Sequence, residues 1–139
     1  MKKQMAVVLL LCLALTGAAF AAKDAPPMPG IFANARFVYV TSYDGGQFNP
    51  NILRDDREAI SRVQDSIQKW GKLTLVYRAQ DADIILAVQS RPSEDIVAVY
   101  DAHSSSETYL WRVMGRGGLE KGETPLVTQF ERAFEKIAK

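Results

Sequence analysis

The order of secondary-structure signals along the chain predicts an α/β (α+β) fold: a two-layer sandwich, with a mixed sheet of four or five strands and two helices on one face. Runs of β-branched and aromatic residues, separated by turn residues, predict the strands. Two other segments repeat apolar residues at helical spacing. One helix lies between two strands, which favours a parallel crossover, whereas the later strands favour antiparallel hairpins. Because each helix has one apolar stripe, both are expected to cover the same face of the sheet.

Five strands are predicted, and the third is expected in the interior of the sheet. It is apolar at every position, which is typical of strands that are covered on both faces. The fourth and fifth strands are expected to pair as a hairpin across the polar turn at residues 101–107. The short connection at residues 79–82 leaves two registers open, so the strand order is not predicted. The predicted strands are residues 37–41, 73–77, 84–88, 96–100 and 108–113.

Both helices have recognisable ends. The first is predicted to begin at Asp55 as the N-cap, with Glu58 three residues later completing a capping box, and to end at Gly71. The last is predicted to begin with Thr124 as the N-cap and Pro125 at the first helical position. The apolar stripes are Ala59, Ile60, Val63, Ile67 and Trp70 in the first helix, and Leu126, Val127, Phe130, Ala133, Phe134 and Ile137 in the last.

The beginning of the chain has the three parts of a secretory signal peptide, residues 1–21. Lysines at positions 2 and 3 precede an apolar run at residues 6–16, and the Ala-Phe-Ala sequence that ends at Ala21 is a cleavage signal. The run is shorter than the roughly 20 apolar residues of a spanning helix. We therefore expect cleavage near Ala21 and export to the periplasm or the medium. A lipid anchor at Cys12 is the disfavoured alternative, because leucines rather than small residues precede that cysteine.

The rest of the chain divides into a linker and one domain. Residues 22–35 contain three prolines and predict an extended linker, and residues 36–139 are expected to form a single α/β domain. The chain has 17 Lys and Arg against 16 Asp and Glu; the leader removes two lysines and no acid, which leaves 15 against 16, or −1. Such a near-neutral domain lacks the basic surface that nucleic acids and acidic membranes require, so neither is expected as a partner.

Short motifs resemble those of small bacterial envelope and secreted α/β domains. Residues 82–88 place Ala-Asp before an apolar strand, and residues 99–102, Val-Tyr-Asp-Ala, precede a polar turn and the Leu-Trp-Arg of residues 110–112. The layout is similar to that of the N-terminal domain of TolB and of related envelope lipoprotein domains, over residues 37–139. The resemblance implies an envelope protein that works through protein contacts and has no catalytic residue to carry over. The chain lacks the lipobox cysteine of the lipoproteins.

Residues 43–51 are the best candidate for a recognition loop. They follow a strand and precede a helix N-terminus, where open α/β sheets tend to place ligands. Tyr43 and Phe48 offer aromatic contacts; the alternative is an ordered surface loop whose Phe48 tucks into the core. Arg112 and Arg116, with the glycines around them, offer a small anion-binding nest or a mobile linker. The candidate recognition surface comprises Tyr43, Asp44, Gly45, Gly46, Phe48, Asn49, His103, Arg112 and Arg116.

Catalytic and metal-binding chemistry is disfavoured by the spacing of the polar residues. A triad of Asp101, His103 and a serine of residues 104–106 would fall within one tight turn, whereas triads converge from different segments. A metal site of His103 with Asp101 and Glu107 would be a poor zinc set, since the chain has one histidine and no cysteine after the leader. We expect no catalytic residue, no metal and no cofactor.

Two functional interpretations stay open. The first is an exported, non-catalytic protein-interaction domain of the bacterial envelope. Its partner would bind residues 43–51, the turn at residues 101–107, or the free edge of the fifth strand by strand addition. The second is a small-ligand-binding protein or a hydrolase that uses residues 41–51 together with His103.

Overall fold

The computed structural model describes residues 25–120 and 124–139, and the predicted leader with Cys12 lies outside the described residues. No helix in the two described stretches is both long enough and apolar enough to cross a membrane. The strands are β1 Phe37–Ser42, β2 Thr74–Val76, β3 Ile84–Gln89, β4 Asp95–Asp101 and β5 Trp111–Gly115; the helices are α1 Arg54–Trp70 and α2 Pro125–Glu135; short 3-10 turns cover Gly30–Phe32 and Ala79–Asp81.

The five strands form one mixed sheet in the order β2-β1-β3-β4-β5, which confirms the predicted class of sheet. β1 is parallel to both β2 and β3, while β4 is antiparallel to β3 and to β5. Parallel neighbours need a crossover, and α1 supplies it between β1 and β2. The apolar strand β3 lies at the centre, as its sequence indicates, and β4 and β5 form the predicted hairpin.

Both helices pack on the same face of the sheet, as predicted. Trp70 at the end of α1 meets Phe134 of α2 edge-on, with ring centroids 5.6 Å apart. Phe130 of α2 lies 6.1 Å from Trp70 and 6.0 Å from Trp111 of β5, so its ring joins both helices to the sheet. The strand residues that share this core are Val38, Val40, Ile84, Leu86, Val88, Val97, Val99, Trp111 and Val113.

The helix ends differ in part from the predictions. Helix α1 begins at Arg54, and Leu53 occupies the N-cap position without a side-chain hydrogen bond, so Asp55 as the N-cap is wrong. The first turn instead has the Arg54–Glu58 ion pair at 2.8 Å. Gly71 ends α1 in the left-handed region, as predicted, with φ 75°. Thr124 occupies the N-cap position of α2 and Pro125 its first position, as predicted. The Thr124 hydroxyl, however, hydrogen-bonds the Ser66 hydroxyl at 2.8 Å and caps no helix N–H.

The described part of the predicted linker is packed against the domain. Met28 and Phe32 are buried in the core. The Trp111 indole Nε1–H donates a hydrogen bond to the Pro26 carbonyl at 2.7 Å. Burial of these two large apolar side chains and the Trp111–Pro26 hydrogen bond both oppose the entropy cost of ordering the segment. Residues 25–35 therefore do not form the free tether that their prolines suggest.

Replacement Phe130→Ala is expected to lower the free energy of unfolding by about 3–5 kcal/mol, because it leaves a cavity where both helices meet the sheet. Urea denaturation followed by tryptophan fluorescence measures the change. Arg132→Ala, at an exposed position of the same helix, is the matched control and should stay within about 0.5 kcal/mol of the wild type. A loss below about 1 kcal/mol for Phe130→Ala would show that this ring does not join the layers.

Candidate functional site

The face of the sheet opposite the helices is open, and thirteen strand side chains point to it. They alternate with the core residues, and each lies opposite another member of the set in the strand register. Arg112 is the only charged residue among the thirteen. They are Phe37, Tyr39, Thr41, Thr74, Val76, Ile85, Ala87, Gln89, Ile96, Ala98, Tyr100, Arg112 and Met114, and they are called the open face below.

Two alanines form the floor of the open face. Ala87 and Ala98 lie opposite each other on the central strands and are almost fully buried, although no helix among residues 25–120 and 124–139 lies over them. Their cover must come from the longer side chains around them and from the start of the loop at residues 43–51. The surface that the centre of the open face presents to water is therefore made of these longer side chains rather than of the alanines.

The loop at residues 43–51 turns back over the open face as soon as β1 ends. Ser42 and Gly45 exchange two backbone hydrogen bonds, of 3.0 and 3.3 Å. Gly45 has a φ of 124°, a backbone conformation that would be strained in a residue with a side chain. The Asn49 amide donates to the Asp44 carbonyl at 2.9 Å and closes the loop. A β-carbon at Gly46 would lie 2.8 Å from the Tyr39 hydroxyl, so the loop touches the open face at that tyrosine.

Tyr43, Tyr100, Tyr109 and Arg112 come together on the open face and are called the tyrosine–arginine cluster. The pKa of the Tyr43 hydroxyl is raised to about 12, and partial burial is the largest cause. Tyr100 raises this pKa further, by charge and by hydrogen bonding. The positive charge of Arg112 lowers the pKa, and Tyr109 adds a smaller rise. The Arg112 guanidinium carbon lies 4.6 Å from the centre of the Tyr109 ring, in cation–π geometry. The sequence placed Tyr43 and Arg112 on one candidate surface, and the structure brings them together.

His103 lies at the other end of the sheet. Its Nε2 is 3.0 Å from Asp83 Oδ1, and its backbone N–H donates to Asp101 at 3.0 Å. Asp83 also accepts the backbone N–H groups of Arg36 and Phe37, at 2.8 and 3.0 Å. Partial burial acts to raise the pKa of Asp83, but the bonds from Arg36, His103 and Phe37 outweigh it and hold the pKa below its ordinary value.

A site that combines His103 with residues 41–51 is not formed. Asp101 lies opposite Ile84 at the start of β3, which is beside the start of β1, whereas residues 43–51 follow the end of β1. The two ends of this six-residue strand are about 17 Å apart. The cleft beside His103 has a volume of 210 Å³, which is below the usual size of small-molecule sites.

The polar residues of the turn at residues 101–107 do not form a catalytic or metal-binding group. The Ser104 and Ser106 hydroxyls accept backbone N–H groups two residues further along, as turn serines commonly do. His103 meets Asp83 rather than Glu107. Within the described residues, no group of three His, Cys, Asp or Glu side chains could hold a metal ion.

Buried carboxylates hold the loops at the end of the sheet that carries residues 43–51. Asp56 in the first turn of α1 is 1% exposed and bonds the Arg91 guanidinium at 2.7 Å and the Ser90 N–H at 2.9 Å. Asp44 lies 3.5 Å from the same guanidinium. The buried Asp95 accepts backbone N–H groups from Arg91 at 3.2 Å and Leu119 at 2.9 Å. The side chain of the candidate residue Asp44 is thus part of a structural network.

The remaining candidate residues separate into exposed and structural ones. Phe48 is 82% exposed, so the alternative in which it tucks into the core is wrong. Arg116 is exposed on the turn after β5. The glycines there have a packing role, because a β-carbon at Gly118 would lie 2.4 Å from the Leu126 side chain. The anion-binding nest therefore has a simpler explanation in the packing of this turn against α2.

The open face is the feature that the sequence interpretation missed, although a signal for it exists. Once the core residues of each strand are known, the alternate positions must point the other way. In an antiparallel sheet with one solvated face these positions are usually polar or charged. Here they are largely aromatic, aliphatic or small, and this departure from the usual alternation marks the surface.

Comparisons of the chain with protein-family models, with curated proteins and with solved structures found no match. The resemblance to TolB-like envelope domains stays a prediction from its motifs.

Replacement Asp83→Asn is expected to destabilise the protein at pH 7 and to lose this effect in acid. Because the pKa of Asp83 is lower in the folded than in the unfolded chain, its carboxylate stabilises the fold above its ordinary pKa of about 4. That contribution is lost as the pH falls through the lowered pKa. Urea unfolding of both proteins from pH 7 down to about pH 2 measures the difference.

The control for this titration is Asp81→Asn, because Asp81 accepts a side-chain bond only from Arg78 in an exposed pair. It should change stability little at any pH. If the difference in free energy of unfolding between Asp83→Asn and the wild type stays constant down to about pH 2, the assigned role of the Asp83 carboxylate is contradicted.

Proposed function

We propose that this chain is an exported, non-catalytic protein-interaction domain of the bacterial envelope, and that it binds its partner through the open face of its sheet. The observation that carries the proposal is the composition of that face. Twelve of its thirteen side chains are uncharged, and the exception is Arg112. The cores of protein–protein interfaces contain few charged residues and are enriched in Tyr, Phe, Met and Arg. Tyr and Arg are also frequent binding hot spots.

The loop at residues 43–51 extends this surface. It turns back over the sheet and adds Tyr43, which is 42% exposed, and the protruding Phe48. The network around Asp56 and Arg91 holds the base of the loop. A rigid loop with exposed aromatic rings loses little conformational entropy on binding, and this supports a role in recognition.

The proposal of export rests on the leader. A basic start, an apolar run and a small-residue cleavage signal occur in the order that secretion requires. A face with a single charged residue, Arg112, lacks the basic surface that nucleic acid requires and favours a partner protein.

A photo-cross-linking amino acid at Met114, on the open face, is expected to cross-link a discrete partner protein in envelope preparations of the native cell. The same probe at Gln68, exposed on α1, should give none. Combined replacement of Tyr43 and Phe48 by Ala should lower the yield at Met114 about tenfold, because aromatic hot spots carry most of an interface's energy. Thermal unfolding checks that the variant is folded. Equal yields from both faces, or an unchanged yield in the folded variant, would contradict the choice of surface.

The form of the protein recovered from the envelope or medium is expected to begin at Ala22. Intact-mass measurement tests this directly, since loss of residues 1–21 lowers the mass by a known amount. A variant with Arg in place of both Ala19 and Ala21 blocks a small-residue cleavage site and should retain the leader. A full-length product confined to the cytosol in the wild type would overturn the export proposal.

A further inference from the structure

Building on the proposed function, we propose the chemistry of the partner: a short extended peptide segment with an Asp or Glu side chain between apolar residues, whose carboxylate binds Arg112 within the tyrosine–arginine cluster. The apolar flanks would lie along the open face on either side of that contact. The inference rests on the charge of Arg112, on the hydroxyl donors around it and on the size of the face.

Among the described residues, Arg112 is a cation without an acidic partner. None of the ion pairs within residues 25–120 and 124–139 includes it. The guanidinium carbon lies over the Tyr109 ring, 4.6 Å from its centre, and a cation–π contact does not use the N–H groups of the guanidinium. A planar fork of donors matches a carboxylate in bidentate geometry. The complementary charge on a ligand of this face is therefore negative.

The hydroxyls beside Arg112 favour the same ligand. The pKa of Tyr43 is raised to about 12, so this hydroxyl keeps its proton throughout the physiological range. The hydrogen bond with Tyr100 that contributes to this rise uses the Tyr43 O–H as donor, so the Tyr100 O–H is the donor left for a ligand. Tyr100 and Tyr109 place further phenolic groups near it. One guanidinium with phenolic hydroxyl groups beside it offers several hydrogen bonds and a single positive charge, which match one carboxylate.

The area of the open face favours a short segment over a second folded domain. Four spacings of about 4.8 Å between five strands, and a length of about 17 Å for a six-residue strand such as β1, give roughly 330 Å². A stable interface between two folded proteins buries roughly 800 Å² on each side. An extended peptide of about six residues crosses the sheet at about 3.3 Å per residue. Ile96 and Met114, in the register row next to Arg112, offer apolar contacts for residues beside the acid.

Selection of displayed random eight-residue peptides on the purified protein tests the inference. The selected peptides are expected to share an Asp or Glu beside aliphatic or aromatic residues. Replacement of that acid by its amide should weaken binding about tenfold, and Arg112→Gln should weaken the parent peptide to a similar extent. Arg112→Lys keeps the charge but loses the fork and should recover only part of the affinity. Fluorescence anisotropy measures each affinity.

The decisive readout is the coupling between the two changes. If the carboxylate binds Arg112, the amide peptide should bind the wild type and Arg112→Gln equally well. Arg132→Gln, the same change on the helix side, should bind the parent peptide with unchanged affinity. The proposed partner chemistry would be overturned if the losses of affinity from the two changes add independently. It would also be overturned if the selected peptides contain no acid, or if the selection yields no peptide.

Other occupants of the face give different results. A concentration-dependent dimer that Arg112→Gln dissociates would assign the face to a second copy of this chain. Binding to vesicles of equal parts phosphatidylglycerol and phosphatidylcholine, lost in Arg112→Gln, would assign it to lipid headgroups. Either result would overturn the proposal that an acidic peptide binds the open face. If the probe at Met114 still cross-links a partner protein in Arg112→Gln, only this inference is overturned. If the probe cross-links no partner protein in the wild type, the proposed function itself is overturned.

Discussion

The packing of both helices against one face of the sheet is the constraint on which the rest of the structure depends. Phe130 meets Trp70 of the first helix and Trp111 of the sheet, so the two layers are joined at one ring. Because both helices lie on that side, no helix of the described chain covers the opposite face of the sheet. That face must then be stable in contact with water, and alanines at its centre with tyrosines around them reduce the apolar area that water reaches.

Carboxylates at the two ends of the sheet hold the loops that border the open face. At one end, the buried Asp56 and Asp95 bind Arg91 and backbone N–H groups of the neighbouring loops. At the other end, Asp83 joins the backbone before β1 to His103. Buried carboxylates are costly unless they are paired and hydrogen-bonded, and these bonds satisfy them. The loops at both ends of the open face are thus held to the sheet by hydrogen bonds and ion pairs.

Much of the fold was predictable because local signals and the final packing agree. Strand β3 is apolar throughout and lies at the centre, and Gly71 ends α1 as a left-handed cap. The grouping of the candidate residues was predictable only in part: the structure brings Tyr43 and Arg112 together, but Asp44 belongs to a structural network and His103 lies at the opposite end of the sheet. The Asp55 N-cap also failed, because helix α1 begins two residues earlier, with Leu53 in the N-cap position. Within its first turn, Asp56 binds Arg91, 35 residues away, a contact that no local pattern shows.

The sequence by itself determined the class of the fold, the two amphipathic helices, the hairpin and the leader motif, because each depends on residues close together in the chain. Only the tertiary structure decided the strand order, the packing of Met28 and Phe32 into the core, and the meeting of three tyrosines with Arg112. Those arrangements depend on contacts between distant segments. Local propensity does not encode which strand edges pair, and a pattern of alternation does not show which of its two faces the helices will cover.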